Sequence, residues 1–331
     1  MASKIRWSLP EGVDEILAPK ALQVEKLRRR LIDIYVSYGY EFIIPPLLEL
    51  SDTLGGMAHD ELQEYAFTFK DDLTGKNLSI RPDISEQASR IDAYRIESKG
   101  VVKLCYVGDV LKRKVSKVLR SRTTIQAGAE IFGDPSIDAD VESINLMIES
   151  LQSLGMKKLT VSLGHAGLVS LALEQFSHFS NEKLKELESA LSRKSVSDIE
   201  SILLDEEDKD RCNALVALSK LYGGTEVIQK ARGDLGNLGE DAIQSLDYFD
   251  ELISKLNIND EVKLHIDLGE IQGFRYHNGI VFSAYTESVG YSLSKGGRYD
   301  GLRKVDSEPR PAVGFDLDLL AVASLTQLDI T

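Results

Sequence analysis

Residues 124–131 read Thr-Ile-Gln-Ala-Gly-Ala-Glu-Ile, in which apolar or small side chains alternate with polar ones or glycine. This two-residue period is typical of a β-strand whose two faces meet different surroundings. On the polar face, Gly128 separates Gln126 from Glu130 and leaves room for a small polar ligand lying flat on the sheet. An ordinary amphipathic strand with its polar face in water fits the same pattern, so the stretch predicts a strand and leaves a binding site open.

Composition narrows the class of protein. The chain has 331 residues, 43% hydrophobic and 28% charged, which is ordinary for one large or two moderate globular domains. No apolar run approaches the roughly 20 residues of a membrane span, and the N-terminus has no secretory signal core. The two cysteines, Cys105 and Cys212, make neither a disulfide framework nor a metal cluster. The sequence therefore predicts a protein of the reducing cytoplasm with no membrane span and no metal site.

Charge argues against nucleic acid as the main partner. Lys and Arg number 39 and Asp and Glu 53, so the formal charge is 39 − 53 = −14. Affinity for nucleic acid comes largely from neutralising phosphates, which an acidic chain does poorly. One basic stretch stands out, and it consists of Lys112, Arg113, Lys114, Lys117, Arg120 and Arg122. It fits a phosphate-gripping loop and a solvated connection between strands equally well.

Hydrophobic periodicity predicts strands on both sides of a helical block. Strands are predicted at 40–44, 64–70, 77–81, 101–111, 122–132, 158–163, 262–268, 279–285 and 288–293. Helices are predicted at 22–38, 85–94 and 138–154, at six places between 167 and 256, and after Gly314. Because the hairpin-like strands enclose the helical block, we expect an α+β fold with a mostly antiparallel sheet.

Three further segments carry groups that suit a small polar ligand. Asp83 leaves a strand at the corner Arg81-Pro82, where it can meet an ammonium group or serve as a turn carboxylate. Residues 268–282 place aromatic side chains and His277 between glycines, which can supply stacking faces for a flat ring, although a lone histidine is often structural. At 295–301 a Gly-Gly pair allows close backbone approach, and Arg298 is placed to bind an anion or to pair with a carboxylate.

Taken in order, these segments resemble the catalytic core of histidyl-tRNA synthetases. The matching runs are R-P-D at 81–83, Y-V-G-D-V-L at 106–111, Q-A-G-A-E-I-F-G at 126–133, G-F-R-Y-H-N-G-I-V-F at 273–282, G-G-R-Y-D-G-L at 296–302 and P-A-V-G-F at 311–315. The resemblance implies a class II synthetase-like core, a mostly antiparallel sheet flanked by helices, at 1–165 and 260–331. It also implies an inserted helical subdomain at 166–259 and no anticodon-binding domain.

The departures from the synthetase pattern concern its arginines. Lys112 stands where the resemblance places the arginine that binds the α-phosphate of ATP, and Lys114 replaces a glutamate. Gln272 and Ala321 stand at two further arginine positions. Lysine, glutamine and alanine do not reproduce the rigid fork of donors that arginine offers. Because losing one preorganised electrostatic group typically costs ~3–4 kcal/mol of transition-state stabilisation, we expect little adenylation.

The pattern is therefore similar to the regulatory subunits of ATP phosphoribosyltransferase. That resemblance implies a cytoplasmic, non-catalytic protein without cofactor, required by the short catalytic subunit in the first step of L-histidine biosynthesis and for feedback by histidine. It implies a homodimer, formed through the first helix and the strand at 42–46, within a hetero-octamer, and no tRNA or membrane partner. Two alternatives stay open: a truncated amino-acid-activating enzyme, and a histidine-sensing module that acts on an unrelated protein.

The resemblance also implies roles for individual residues. Asp83 and Gln126 would hold the α-amino group of histidine, and Glu130 would bond to its imidazole. The predicted histidine-like pocket consists of Asp83, Ser85, Gln126, Glu130, Tyr276 and His277. Residual anion binding is predicted for Lys112, Arg122 and Arg298.

Overall fold

The structure is a computed structural model that describes residues 8–53, 64–96, 98–114, 121–271, 276–301 and 310–326. Gln272 and part of the predicted basic stretch lie outside these ranges. Among the described residues, no helix is long and apolar enough to cross a membrane.

Twelve strands and a set of helices make up the described parts of the chain. The strands are β1 Glu41–Phe42, β2 Leu48–Leu50, β3 Phe67–Lys70, β4 Asn77–Ile80, β5 Val102–Leu111, β6 Thr123–Phe132, β7 Leu159–His165, β8 Tyr222–Gly223, β9 Val262–Asp267, β10 His277–Thr286, β11 Ser294–Asp300 and β12 Pro311–Asp318. The α-helices are α1 Lys20–Ser37, α2 Ser85–Tyr94, α3 Ile137–Ser153, α4 Ala166–Glu174, α5 Asn181–Ser192, α6 Val196–Ile202, α7 Lys209–Leu218, α8 Val227–Asp234, α9 Glu240–Lys255 and α10 Leu319–Leu325.

The main sheet has nine strands in the order β1-β5-β6-β12-β11-β10-β7-β9-β8. The β1/β5 and β7/β9 pairs are parallel and the other pairs are antiparallel, so the predicted mostly antiparallel α+β arrangement is confirmed. Small and apolar residues of β6, such as Ala127 and Ile131, face one large hydrophobic core. A second sheet, β2-β4-β3, contains the predicted hairpin and adds β2 at its edge.

Helix α1 shows why the first part of the chain folds as predicted. Val24, Leu27, Leu31 and Tyr35 recur every three or four residues and are its buried face. The helix ends where Gly39 adopts a φ of 84°, a left-handed conformation that glycine accepts without steric cost.

Near the C-terminus, one predicted strand is wrong and one strand was missed. The expected strand at 288–293 is a turn region, and the strand is instead β11 at Ser294–Asp300. The alternation of Val289, Tyr291 and Leu293 imitates a strand, but these side chains pack on the core from the connection between β10 and β11. Strand β12 was not predicted, although it pairs with both β6 and β11 at the centre of the sheet.

The strand expected at 40–44 is reduced to Glu41–Phe42.

The helical block packs directly on the sheet. Helices α4 to α9 fall between residues 166 and 255, and β8 joins the sheet edge by pairing with β9. Buried residues of the block, such as Phe249, belong to the same hydrophobic cluster as Leu163 of β7. The bounds 166–259 for an inserted subdomain stay a prediction.

Candidate functional site

The predicted pocket begins where the corner after β4 meets the polar face of β6. The Gln126 side-chain oxygen accepts a hydrogen bond from the Ile84 N–H at 2.8 Å, and its Nε2 donates to Asp83 Oδ2 at 2.9 Å. The Ser85 N–H donates to Asp83 Oδ1 at 2.7 Å at the start of α2. Gln126 is only 5% exposed, so this face of β6 is not in water, in contrast to the ordinary amphipathic strand.

Glu130 forms the second part of the pocket. Its two oxygens accept hydrogen bonds from Tyr106 Oη at 3.3 Å and from Tyr299 Oη at 2.9 Å. The Ser85 hydroxyl lies 2.8 Å from Tyr106 Oη, which connects Glu130 to the Asp83 corner. Gly314 lies opposite Glu130 on β12, and a Cβ there would collide with the Glu130 carboxylate. The glycine is therefore what admits this carboxylate into the sheet.

Aromatic rings close the pocket. The Tyr276 ring stacks on Tyr299 with centroids 4.8 Å apart and an interplanar angle of 26°. His277 meets the edge of Tyr276 at 5.1 Å. A Cβ on Gly297 would lie 2.8 Å from His277 Nε2, so the imidazole occupies the space that this glycine leaves. All six residues predicted for the histidine-like pocket thus lie in one connected group.

The space above Gly128 is not open, which corrects one expectation. Tyr106 pairs with Gly128 in the β5/β6 register, and a Cβ on the glycine would lie 2.6 Å from Tyr106 Cζ. The Tyr106 ring fills the gap that the sequence predicted above Gly128, so a ligand must bind beside this ring. Sequence reasoning missed Tyr106 as a pocket residue, along with Tyr299, Glu86 and Asp316; for Tyr106 the available signal was its place directly before V-G-D on the neighbouring strand.

Burial dominates the electrostatics of the pocket. It raises the pKa of Glu130 to about 8, against partial stabilisation of the ionised form by the Ser85 and Tyr299 hydroxyls. Burial, with the nearby Asp83 carboxylate, raises the pKa of Glu86 to about 7. The pKa of Asp316 is raised by burial, and Lys295 opposes that shift. A group of carboxyls in this state favours a ligand that brings positive charge or hydrogen-bond donors.

Known proteins resemble this chain over nearly its whole length. The histidyl-tRNA synthetase family model matches residues 12–322. An ATP phosphoribosyltransferase regulatory subunit from Teredinibacter turnerae is 37% identical over 324 residues, which cover 97% of this chain and 82% of the relative. One from Alkalilimnicola ehrlichii is 39% identical over 318 residues, covering 95% of this chain and 79% of the relative. The chain belongs to the ATP phosphoribosyltransferase regulatory subunit family.

Solved structures agree with this assignment. A Bacillus halodurans protein described as an ATP phosphoribosyltransferase regulatory subunit/histidyl-tRNA synthetase superposes with a TM-score of 0.85 at 25% identity, covering 99% of this chain and 85% of that one. A complex described as ATP phosphoribosyl transferase from Thermotoga maritima gives a TM-score of 0.67 at 18% identity, covering 89% and 97%, which shows a common fold. The predicted class II synthetase-like fold is confirmed.

At two positions compared with synthetase arginines, this regulatory-subunit chain has Lys112, which lies close enough to Asp316 to oppose the rise in its pKa, and the uncharged Ala321. Lys112 lies beside Arg122, whose carbonyl accepts from the Lys112 N–H at 2.8 Å. Arg122 lies over the Phe67 ring at 5.8 Å, and its Nε is buried without a partner among the described residues. Ala321 is buried in the first turn of α10, and its N–H donates to the Asp318 side chain at 3.0 Å.

Arg298, for which anion binding or pairing with a carboxylate was predicted, faces away from the pocket. Its Nε donates to Asp140 Oδ1 at 2.8 Å, and Nη1 and Nη2 each donate at 2.9 Å to the carbonyls of Asp134 and Ser136. Successive strand residues point to opposite faces, so Arg298 faces α3 while Tyr299 faces the pocket. Each guanidinium nitrogen therefore donates one hydrogen bond on the α3 side, which includes the carboxylate pair considered as the alternative. Anion binding by Arg298 stays a prediction.

Proposed function

We propose that this chain is the non-catalytic regulatory subunit that a short ATP phosphoribosyltransferase catalytic subunit requires in the first step of L-histidine biosynthesis in the cytoplasm, and that it carries the feedback response to histidine. One observation carries the proposal. The pocket keeps carboxyl and aromatic groups suited to an ammonium and an imidazole, whereas two positions compared with phosphate-binding arginines hold Lys112 and the buried, uncharged Ala321.

The same observation disfavours an amino-acid-activating enzyme. Adenylation needs guanidinium groups that hold the phosphates of ATP in one geometry, and lysine supplies only a point charge. Arg298, although present, is occupied by Asp140 and two carbonyls on the other side of the sheet. The described residues thus favour a site that binds an amino acid over one that also holds the phosphates of ATP.

Histidine suits the groups that line the pocket. Asp83 and the Gln126 side chain lie 2.9 Å apart and would bind the α-amino group together. Glu130, with a pKa of about 8, would share a proton with the ligand imidazole. The stacked pair Tyr276 and Tyr299 would line the ring.

Self-association fits the exposed apolar surface around α1 and β2. Leu22 is 60% exposed and Ile44 is 82% exposed. Val36 of α1, Leu48 of β2 and Leu47 just before β2 add further exposed apolar side chains. We propose that this surface forms a homodimer, two or more of which join the catalytic subunits in a hetero-octamer. Sedimentation of the purified chain, with Ile44→Glu as the disrupting variant, tests this step.

Reconstitution tests the function. The purified chain is mixed with a short catalytic subunit, and formation of phosphoribosyl-ATP and pyrophosphate from ATP and phosphoribosyl pyrophosphate is followed. We expect activity only with both chains present, and inhibition by L-histidine. Histidine-dependent exchange of pyrophosphate into ATP by the chain alone would instead identify an amino-acid-activating enzyme. Copurification with an unrelated protein, without stimulation of the catalytic subunit, would favour a separate histidine sensor.

Calorimetric titration with L-histidine tests the pocket separately. Asp83→Asn removes the carboxylate proposed to bind the amino group, so affinity is expected to fall by about tenfold or more, the equivalent of one charge-assisted hydrogen bond. Asp198→Asn, on the exposed surface of α6, is the matched control and should leave affinity unchanged. Absence of heat with both the free chain and the complex would remove histidine from this pocket.

A further inference from the structure

A second concave site lies away from the pocket, where the helical block meets the main sheet. It is a groove of about 460 Å³ between α4 and α9, with the ends of β7 and β10 at its floor. We call it the α4–α9 groove. Its lining includes His165, Leu171, Glu174, Asp241, Tyr248 and Asn278. None of them belongs to the group around Glu130.

His165 has a buried polar atom without a partner. Its Nδ1 is shielded from solvent and makes no hydrogen bond with any described residue. Such an atom costs about 1–3 kcal/mol when left unsatisfied and calls for an explanation. The Nδ1 edge faces Gly167, another groove residue, where a Cβ would lie only 3.1 Å from Nδ1. Burial lowers the pKa of His165 to about 4, so the ring is neutral near pH 7 and one nitrogen is an acceptor.

The charge of the groove excludes anionic ligands. Among the described residues, its lining contains the carboxylates of Glu174 and Asp241 and no lysine or arginine. Within the described parts of the chain, neither carboxylate forms an ion pair. Glu174 is the last residue of α4, and the partial negative charge of a helix C-terminus disfavours a carboxylate there but favours a cation. Nucleotides, phosphates and free carboxylic acids would be repelled by these two carboxylates.

The remaining lining suits an alkyl chain. Leu171 and the Tyr248 ring supply apolar surface between the two carboxylates, and Asn278 adds a polar group at the floor. The Tyr248 hydroxyl is already committed, since it donates to Asp140 Oδ2 at 2.7 Å. We propose that the α4–α9 groove binds a small alkyl polyamine, with its ammonium groups at Glu174 and Asp241, and that its entry uncovers the shielded Nδ1 edge of His165 so that one N–H reaches this atom. This inference is independent of the function proposed above.

Calorimetry with putrescine tests the proposal on the full chain at constant ionic strength. Butane-1,4-diol has the same carbon chain without charge and should not bind. Glu174→Gln combined with Asp241→Asn should weaken putrescine by at least about tenfold, because two charge-assisted contacts are lost. Glu200→Gln combined with Asp205→Asn removes the same charge from exposed positions elsewhere and should change affinity by less than about twofold.

Two results would overturn the proposal: no binding of putrescine to the unaltered chain, or equal weakening by both double variants, which would mean diffuse attraction to an acidic surface. A second measurement avoids dependence on variants. Putrescine should shift the imidazole nitrogen resonances of His165 in the unaltered protein, whereas His178, exposed on the helical block, should not respond. Binding heat without any shift at His165 would place the amine elsewhere.

Discussion

Two buried carboxylates on opposite sides of the main sheet differ in the groups that stabilise them. Asp140, 1% exposed, receives the guanidinium of Arg298 and the hydroxyl of Tyr248. Glu130, 2% exposed, receives the tyrosine hydroxyls of Tyr106 and Tyr299. The two sites are connected through adjacent residues of β11. Asp140 is paired with a permanent positive charge and therefore has a structural role. Glu130 has only hydroxyl donors, so it can bind a proton or a ligand.

The largest expected effect comes from removing the guanidinium. Arg298→Met leaves Asp140 buried without its counter-ion, which typically costs about 3–5 kcal/mol of unfolding free energy. Urea denaturation measures this loss. Arg193→Met is the matched control, because its pair with Asp198 has side chains 58% and 51% exposed and should be worth less than ~1 kcal/mol. Similar losses in the two variants would contradict the contrast between scaffold and surface pairs.

The second effect concerns the pH dependence of the pocket side. Glu130 has a pKa of about 8 in the folded chain against 4.5 in the unfolded chain, so the folded state binds the extra proton between these values. The contribution of Glu130 to the unfolding free energy is therefore largest below about pH 4.5, and it falls as the pH rises to about 8. Glu130→Gln should remove this fall, by more than ~1.4 kcal/mol between pH 5 and pH 9.

Parallel urea titrations of the unaltered chain and Glu130→Gln at several pH values measure that difference. Asp140→Asn cannot serve as the control, because it also breaks the ion pair with Arg298. Glu200→Gln, at an exposed position, is suitable and should reproduce the unaltered pH profile. A Glu130→Gln profile parallel to that of the unaltered chain would show that Glu130 is ionised at neutral pH in the folded protein.

A smaller effect is expected from the second donor to Asp140. Tyr248→Phe removes one hydrogen bond and leaves the Arg298 pair in place, so the loss should be about 1 kcal/mol in unfolding free energy. Tyr222→Phe, with a half-exposed ring on β8, is the control and should have no measurable effect. A loss as large as that of Arg298→Met would mean that the hydroxyl stabilises Asp140 as much as the guanidinium does.

The smallest expected effect comes from adding a guanidinium on the pocket side. Lys112→Arg restores one arginine position, but Ala321 still offers no charge. Histidine-dependent exchange of pyrophosphate into ATP should therefore stay at the background of an assay without the protein. Measurable exchange by this single variant would contradict the proposal that the chain is non-catalytic, because one side chain would then suffice to complete the site.

A strand was easiest to predict where polar and apolar side chains alternate between its two faces, and hardest where no such alternation exists. Strand β6 alternates visibly, and its position is confirmed within one residue. Strand β12 reads Pro-Ala-Val-Gly-Phe-Asp-Leu-Asp, is buried along most of its length, and has no clear two-residue period. Strand β8 has two residues, too few to leave a pattern. The false strand at 288–293 shows the converse, since apolar alternation also arises in a turn that packs on the core.

The sequence predicted part of the candidate site, but not its shape, and the binding of histidine there stays a prediction. The six pocket residues came from motifs and from the family resemblance, and the structure brings them together. That Tyr106 covers Gly128 depends on the β5/β6 register, and that Arg298 turns away from the pocket depends on the pleat of β11. Both are properties of strand pairing, which one sequence does not specify by itself.

Strand β8 also limits how a signal can pass between the helical block and the pocket. A block attached only at its two ends could swing on its connections as a rigid lid. Here the middle of the block is hydrogen-bonded to β9 and shares its apolar interior with the sheet. Swinging would break that pairing and expose this interior, so regulation through the block should proceed by small sliding shifts of packed helices, a shear motion in place of a hinge.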